Sequence, residues 1–282
     1  MTRGPSLDRR RFVLGAAALP LAGCVTPGRA AHRTLRVATF NIWHDAQNWG
    51  ARLPLLVQSL READADVIAL QEVLEDATKG LPNQARTLAD LLGNYAVRFS
   101  STTPPDKLRR YGNAILSRLP VLADSSKRLE PLNDHRTALR VRVGPADHPI
   151  DVVCTHLAWQ AEAGAVRARQ VADLMAWLPQ DGVPLIVIGD FNAPLADPGL
   201  AALTSPRFFS ALPPGATSST LNPAKGHAER VIDHIFAERR WFAPIAAQRF
   251  GDRAHDGEYP SDHFGVAATL CLTPARRSAT TG

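Results

Sequence analysis

A run of apolar residues that ends in a carboxylate constrains the fold of this 282-residue chain more than any other feature. Residues 184–188 (Pro-Leu-Ile-Val-Ile) are typical of a buried strand, and Gly189-Asp190-Phe191-Asn192 follows directly. Asp190 and Asn192 are two residues apart, on the same side of an extended chain. A buried acid is costly unless it binds a metal, pairs with a histidine or accepts hydrogen bonds. The strand therefore predicts a functional site at its carboxyl end.

Two later segments repeat this combination of apolar residues and acids. Asp233 lies inside the apolar run Ile232–Phe236, and Ser261-Asp262-His263 places a carboxylate beside an imidazole. The sequence has no P-loop, no glycine-rich dinucleotide fingerprint and no zinc-type Cys/His spacing. The candidate chemistry thus depends on acids and histidines at strand ends.

Hydrophobic patterning predicts many more strands than helices. Helices are expected at 53–61, 84–92 and 165–178, and a loop at 102–110. The strands come in pairs rather than in strict βα alternation, which favours an α+β fold: a four-layer α/β/β/α sandwich of two packed mixed β-sheets flanked by helices. Strands are expected at 35–42, 67–70, 95–99, 113–116, 138–143, 150–155, 184–188, 231–236 and 264–270.

The first 24 residues resemble a twin-arginine export signal. Three arginines, Arg9 to Arg11, precede an apolar run too short to span a bilayer, and Leu21-Ala22-Gly23-Cys24 resembles a bacterial lipobox. The resemblance implies an exported bacterial lipoprotein, periplasmic or on the cell surface, held on a membrane by a lipidated Cys24. The alternative is an ordinary cleaved signal or an N-terminal tail with no function. Residues 25–33 are then a tether, 34–273 the folded domain and 274–282 a disordered tail.

The positive charge of the chain does not select a polyanionic partner. The net charge is +5, and the arginine-rich residues 1–23 contribute +3 of it. The cysteines beyond the leader, Cys154 and Cys271, are either buried thiols or a disulfide pair, and the sequence leaves both open.

Six segments, taken in order, resemble the endonuclease/exonuclease/phosphatase superfamily, which contains DNase I-like nucleases, sphingomyelinases and inositol-phosphate phosphatases. Each segment lies at a predicted strand end, and together they span about residues 35–270. They are Thr39-Phe40-Asn41, Gln71-Glu72-Val73, the run Gly112 to Arg118, Thr155-His156-Leu157, Gly189 to Asn192, and Ile232-Asp233 with Ser261-Asp262-His263.

The resemblance implies a metal-dependent phosphoesterase. Glu72 would be the principal ligand of Mg²⁺ or Mn²⁺, with Asn41 beside it and Asp262 adding to the metal or hydrogen-bond shell. Asp190 would orient or deprotonate the attacking water, and Asn192 would donate a hydrogen bond to the charge that develops on the phosphoryl group.

The same resemblance gives roles to further residues. His263, oriented by Asp233, would contact the phosphate or assist proton transfer, and His156 would donate to a phosphate oxygen. The expected substrate-binding residues are Asn113, Arg118 and Arg136, of which Arg118 is as readily structural as phosphate-binding.

The sequence also departs from the DNase I-like pattern. Leu119 stands where those nucleases carry a glutamate after the Ser-Arg pair, and Trp43 stands where some repair nucleases carry an acid. These departures favour a single metal site, and they leave the substrate open. One interpretation is a phosphodiesterase that acts on lipid headgroups or small phosphoesters. A second is an extracytoplasmic nuclease, and a third is an inactive binding module.

Overall fold

The computed structural model describes residues 33–212 and 218–273. The predicted export signal, nearly all of the predicted tether and the predicted C-terminal tail lie outside these residues. None of the helices in the described residues combines the length and the hydrophobicity that a membrane span requires.

The described residues form two β-sheets of six strands each and three α-helices. Sheet A has the order β11-β12-β1-β2-β4-β3, and sheet B has the order β5-β6-β7-β8-β10-β9. The helices are α1 (Trp49–Ala63), α2 (Gln84–Leu92) and α3 (Gly164–Trp177). The strands are β1 (Thr34–Asn41), β2 (Val67–Asp76), β3 (Ala96–Ser101), β4 (Arg109–Ser117), β5 (Val121–Arg128), β6 (Thr137–Val143), β7 (Ile150–His156), β8 (Leu185–Asp190), β9 (Phe208–Ser210), β10 (Asp233–Glu238), β11 (Phe242–Phe250) and β12 (Gly265–Leu272).

Three buried clusters of apolar side chains define the layers. One lies between the sheets, with residues such as Val37 of β1 and Val152 of β7. A second lies between sheet A and the helices α1 and α2, and a third joins sheet B to α3. Alternating side chains place one face of each central strand in the cluster between the sheets and the other face under a helix, so the central strands are apolar throughout. The predicted four-layer α/β/β/α sandwich is therefore confirmed.

Each sheet contains one parallel pair of neighbouring strands. In sheet A, β1 runs parallel to β2, with Asn41 opposite Gln71. In sheet B, β7 runs parallel to β8, with His156 opposite Asp190. Because parallel strands end at the same edge of a sheet, each pair delivers its terminal polar residues to one place.

Three strands, β5, β9 and β11, are absent from the sequence prediction, and β2 is longer than predicted. The prediction ends this strand at Leu70, whereas the structure continues it to Asp76. The pairing between β2 and β4 is interrupted between Leu70 and Val73, where Glu72 adopts a positive φ of 59°. Such an irregularity turns a side chain out of the regular alternation, so Glu72 sits at a bulge within the strand rather than at its end.

Candidate active site

The two parallel strand pairs and two antiparallel strands bring the predicted site segments together. Asn41 ends β1, and His156 and Asp190 end β7 and β8. Asp233 begins β10 directly opposite Asp190. His263 lies two residues before β12, which runs antiparallel to β1. An antiparallel strand starts where its neighbour ends, so all of these side chains meet at one edge of the sandwich.

Side chains from both sheets surround one carboxylate oxygen of Asp190. Asp190 Oδ2 accepts a hydrogen bond from Asn41 Nδ2 at 3.0 Å, and His156 Nε2 lies 3.4 Å from the same oxygen. His263 Nε2 is 3.8 Å away. The other oxygen, Oδ1, accepts the backbone N–H of Asn192 at 2.9 Å. Asp190 is 1% exposed, so it is held in a water-poor pocket with fixed partners.

Backbone geometry helps to hold Asp190 in this position. Gly189 has a φ of 150°, and a Cβ atom there would lie 2.0 Å from the carbonyl oxygen of Thr155. Only glycine allows β8 to approach β7 this closely. Asn192 has a φ of 52°, and its Nδ2 donates to the carbonyl of Leu157 at 3.1 Å. The chain therefore turns sharply around the Asp190 carboxylate.

The imidazole of His263 is oriented by Asp233. His263 Nδ1 lies 2.9 Å from Asp233 Oδ2, which leaves Nε2 directed towards Asp190. The other oxygen of Asp233, Oδ1, is buried with no protein partner. Burial alone would lower the pKa of His263, but the carboxylates of Asp233 and Asp190 outweigh it and raise the pKa to about 10. His263 is therefore an imidazolium, and its Nε2–H is a proton donor inside the pocket.

The other two titratable groups are shifted towards their neutral forms. Burial, together with the neighbouring charge of Asp233, raises the pKa of Asp190 to about 7. Burial, with the positive charges of Arg136 and His263, holds the pKa of His156 well below its usual value. The pocket therefore contains a carboxylate, Asp190, that titrates near neutrality. A neutral His156 and a protonated His263 lie within 4 Å of it. Such a combination can move protons at ordinary pH.

Glu72 lies beside this pocket on sheet A. Its Oε1 accepts from Asn41 Nδ2 at 3.2 Å, and its side chain is 19% exposed. Asn41 thus donates to Glu72 and Asp190 at once, while its own Oδ1 accepts the backbone N–H of Trp43 at 3.0 Å. The structure therefore directs the amide nitrogen of Asn41, rather than the oxygen expected of a ligand, towards Glu72.

Two groups of side chains offer atoms for a metal ion. Asp190, Asp233 and His263 provide ligand atoms within 4.8 Å of one another. In that group His263 Nδ1 is already bonded to Asp233 at 2.9 Å and its Nε2 faces Asp190, so these side chains contact one another within the buried pocket. Glu72 is different, because its Oε1 contacts Asn41 and its side chain is 19% exposed to solvent. A hard carboxylate oxygen at a water-accessible position suits Mg²⁺ or Mn²⁺.

The structure brings most, but not all, of the other predicted residues to this edge. Asn113 Nδ2 donates to the carbonyl of Thr137 at 2.9 Å and so ties sheet A to sheet B. Arg136 lies close enough to lower the pKa of His156, and it pairs with Asp134 at 3.4 Å. Asp262 is turned towards His227, whose Nε2 is 3.0 Å from its Oδ2.

Arg118 lies elsewhere. It follows β4, which runs antiparallel to β2, so it falls at the opposite edge of sheet A. There its guanidinium bonds to Asp64 at 2.6 Å and stacks on Tyr95. The expectation that Arg118 binds substrate is corrected by this placement: its charge is used in a surface ion pair.

Several residues at the site escaped the sequence analysis. His44 Nε2 is 4.0 Å from Glu72 Oε2, and burial together with the charge of Glu72 raises the pKa of the nearby Tyr111. Arg52, 0% exposed, donates to backbone carbonyls on both sides of the site. The signal for His44 was its position three residues after Asn41. Arg52 had no such signal, because an arginine in a helix is ordinarily exposed to solvent.

Comparisons with known proteins agree with this fold. The endonuclease/exonuclease/phosphatase family model matches residues 38–263. The uncharacterized protein YbhP of Escherichia coli K12 is 30% identical over 182 residues, which cover 59% of this chain and 70% of YbhP.

Two solved structures share the fold at lower identity. An endonuclease/exonuclease/phosphatase from Beutenbergia cavernae has a TM-score of 0.71 at 22% identity, covering 87% of this chain and 73% of that one. The complex of D. rerio TDP2 with a single-strand DNA product has a TM-score of 0.67 at 19% identity, covering 84% and 98%.

Proposed function

Because the chain belongs to the endonuclease/exonuclease/phosphatase family, we propose that it is a metal-dependent phosphoesterase that hydrolyses phosphodiester bonds by attack of a water molecule. The observation that carries the proposal is the convergence on Asp190 Oδ2 of Asn41 at 3.0 Å, His156 at 3.4 Å and His263 at 3.8 Å. Hydrolysis of a phosphoester requires a base for the attacking water and donors for the charged phosphoryl oxygens. The carboxylate of Asp190 and the two imidazoles can supply these.

In this proposal Asp190 accepts the proton of the attacking water. Its raised pKa makes it a stronger base than an exposed aspartate, and its contact with Asn41 fixes the direction of its Oδ2. The water oxygen attacks phosphorus as the bond to the leaving oxygen breaks.

Hydrogen-bond donors from both sheets surround the charge that develops on the phosphoryl oxygens. The Nε2–H of protonated His263, oriented by Asp233, donates to one oxygen, and neutral His156 and the amide of Asn192 supply further hydrogen bonds. Arg136 adds positive charge near His156.

Glu72 would hold Mg²⁺ or Mn²⁺, which supplies positive charge for the phosphoryl and leaving oxygens. Asn41 positions the Glu72 carboxylate through its 3.2 Å hydrogen bond. Asp262, bonded to His227, would act on the hydrogen-bond shell rather than as a primary ligand.

The proposed substrates are lipid headgroups or small phosphoesters at a membrane surface outside the cytoplasm. Support comes from the lipobox-like Leu21-Ala22-Gly23-Cys24 and from the small net charge of the residues after the leader. A second candidate is a nuclease. Trp159, 66% exposed and three residues after His156, could stack a base, and Arg230 lies at the rim beside Asn192.

The test is hydrolysis of bis(p-nitrophenyl) phosphate by the full chain, with and without chelator. We expect chelator-sensitive turnover that falls at least about 1000-fold in Asp190→Asn, because the base is lost. Asp124→Asn, which removes an exposed carboxylate of β5, is the matched control and should retain wild-type turnover. Chelator-resistant turnover, or an active Asp190→Asn protein, would contradict the proposal.

Phospholipid and plasmid substrates then separate the two candidates. Release of a phosphorylated headgroup without nicking of supercoiled plasmid supports the first. Chelator-sensitive nicking that Asp190→Asn abolishes supports the nuclease.

A further inference from the structure

His44 is held beside Glu72 by contacts that the proposed reaction does not use. Its Nδ1 lies 3.0 Å from Asp45 Oδ1, and Lys79 Nζ binds the other oxygen of Asp45 at 2.6 Å. Its Nε2 points towards Glu72 Oε2 at 4.0 Å. The ring therefore presents one nitrogen to a carboxylate that orients it and the other to a carboxylate that it does not touch.

The backbone around His44 is fixed as well as the ring. Trp43 and His44 both have positive φ, 56° and 33°, values that are strained for side chains of this size. The carbonyl of His44 accepts from Arg52 and from Gln84 Nε2, each at 2.8 Å. The ring of Tyr111 packs edge-on at 6.2 Å. Strain that neighbouring contacts hold in place is typical of a functional position.

The 4.0 Å separation has a chemical meaning. It is too long for a hydrogen bond between Nε2 and Oε2. With bonds of about 2.0–2.2 Å, two ligands of one divalent ion lie between about 3 Å apart at adjacent positions and about 4.4 Å apart at opposite positions, so one ion can bridge this separation. A metal-bound histidine almost always donates its second ring N–H to a carboxylate or a carbonyl, which is the role that Asp45 fills here.

A second His–Asp pair in the same chain serves for comparison, because no second carboxylate among the described residues faces its histidine. His148 Nδ1 lies 3.0 Å from Asp147 Oδ2, and both side chains are more than 60% exposed. No salt-bridge contact within 4.0 Å joins His148 to a second carboxylate in the described part of the chain. His44 differs from it in the facing Glu72 and in its fixed backbone.

We propose that His44 is a metal ligand, and that its Nε2 joins Glu72 in binding one divalent cation. The inference rests on the proposed function, which assigns the cation to Glu72. It adds that the ligand atoms of the site are nitrogen and oxygen rather than oxygen alone. Imidazole favours first-row transition metals over Mg²⁺, so the site selects Mn²⁺ from a mixture of the two.

The test is pulsed electron paramagnetic resonance of Mn²⁺ bound to the full chain, which detects ¹⁴N nuclei of directly bound imidazole. We expect a ¹⁴N coupling in the wild type that is lost in His44→Gln and kept in His148→Gln. The affinity for Mn²⁺ should fall at least about tenfold in His44→Gln and by a similar factor in Asp45→Asn, which removes the orienting carboxylate. The affinity for Mg²⁺ should fall less in both variants.

Two results would overturn the assignment of His44. One is stoichiometric Mn²⁺ on the wild type without a ¹⁴N coupling, and the other is a coupling that persists in His44→Gln, which would assign it to another histidine. Failure of the proposed function looks different. In that case Mn²⁺ either does not bind the wild type or binds equally well after Glu72→Gln.

Discussion

At the scale of the residue, the Asp233–His263 pair governs the charge of the site. Asp233 raises the pKa of His263, and it also raises the pKa of Asp190. In the proposed reaction Asp190 must be an anion and His263 a cation. The anionic fraction of Asp190 grows as the pH rises through about 7, and the protonated fraction of His263 is lost as the pH rises through about 10. Activity is therefore expected to be highest between these values.

Asp233→Asn should move both limbs of this profile to lower pH. The substitution keeps a side chain of the same size but removes the negative charge that raises both pKa values, so each limb should shift by at least about one unit. The measurement is kcat/KM for bis(p-nitrophenyl) phosphate against pH, with Asp124→Asn as the matched control. A purely structural role for Asp233 would lower the whole curve without moving its limbs, and that outcome would contradict the prediction.

The sequence predicts which acidic residues belong to the site better than it predicts which arginines do. Asp190 and Asp233 are recognisable because an acid inside an apolar strand needs a partner. Arg118 and Arg136 look alike in sequence, yet one lies at the opposite edge of sheet A and the other beside His156. The direction of a strand decides which of its ends faces the site, and a single strand does not reveal that direction.

At the scale of the element, the helix α1 connects two loops of the site through Arg52. Its guanidinium donates to the carbonyls of Ile42 at 2.9 Å and His44 at 2.8 Å, which follow Asn41. It also donates to the carbonyl of Pro260 at 2.9 Å, three residues before His263. One buried side chain therefore fixes the segment that carries His44 against the segment that carries His263.

Arg52→Met should destabilise the fold and reduce turnover together. The methionine keeps the aliphatic part of the side chain but leaves the carbonyls without donors in a buried place, and we expect a loss of about 3 kcal/mol in the free energy of unfolding. Arg61→Met, on an exposed part of the same helix, should change it by less than about 1 kcal/mol. The measurements are urea denaturation and kcat. A stable, fully active Arg52→Met protein would show that the loops keep their places without Arg52.

The strands that the sequence did not reveal are exposed, very short or interrupted. In β5 every residue of Val121–Arg128 is exposed or partly exposed, and β9 is only three residues long. In β11, Pro244 sits at a break in the register with β12. All three lie at sheet edges, where hydrophobic alternation is weak and proline is tolerated. The central strands were predicted because burial on both faces makes them apolar.

At the scale of the whole molecule, the site exists only because the two sheets pack with their strand ends aligned. Glu72 and Asn41 come from sheet A, and Asp190, His156 and Asp233 come from sheet B. The Asn41–Asp190 hydrogen bond, across 149 residues of sequence, joins the two halves. The sequence could predict both halves from their strands. It could not predict their contact distances, because these depend on how Asn113, Thr137 and the central cluster set the spacing of the sheets.

The last prediction concerns where the whole chain resides. If Cys24 is lipidated after export, the acyl chains should hold the enzyme on a membrane even though no described helix spans one. Cys24→Ala, expressed as the full chain in a bacterium, should move from the membrane fraction to the soluble fraction while hydrolysing bis(p-nitrophenyl) phosphate at the wild-type rate. Cys271→Ala is the matched control, because it removes a thiol on β12 and should leave the fractionation unchanged. Retention of Cys24→Ala on membranes would rule out lipid attachment as the anchor. If a phospholipid is the substrate, release should also slow its hydrolysis in vesicles, since the anchor raises the local concentration of enzyme at the surface.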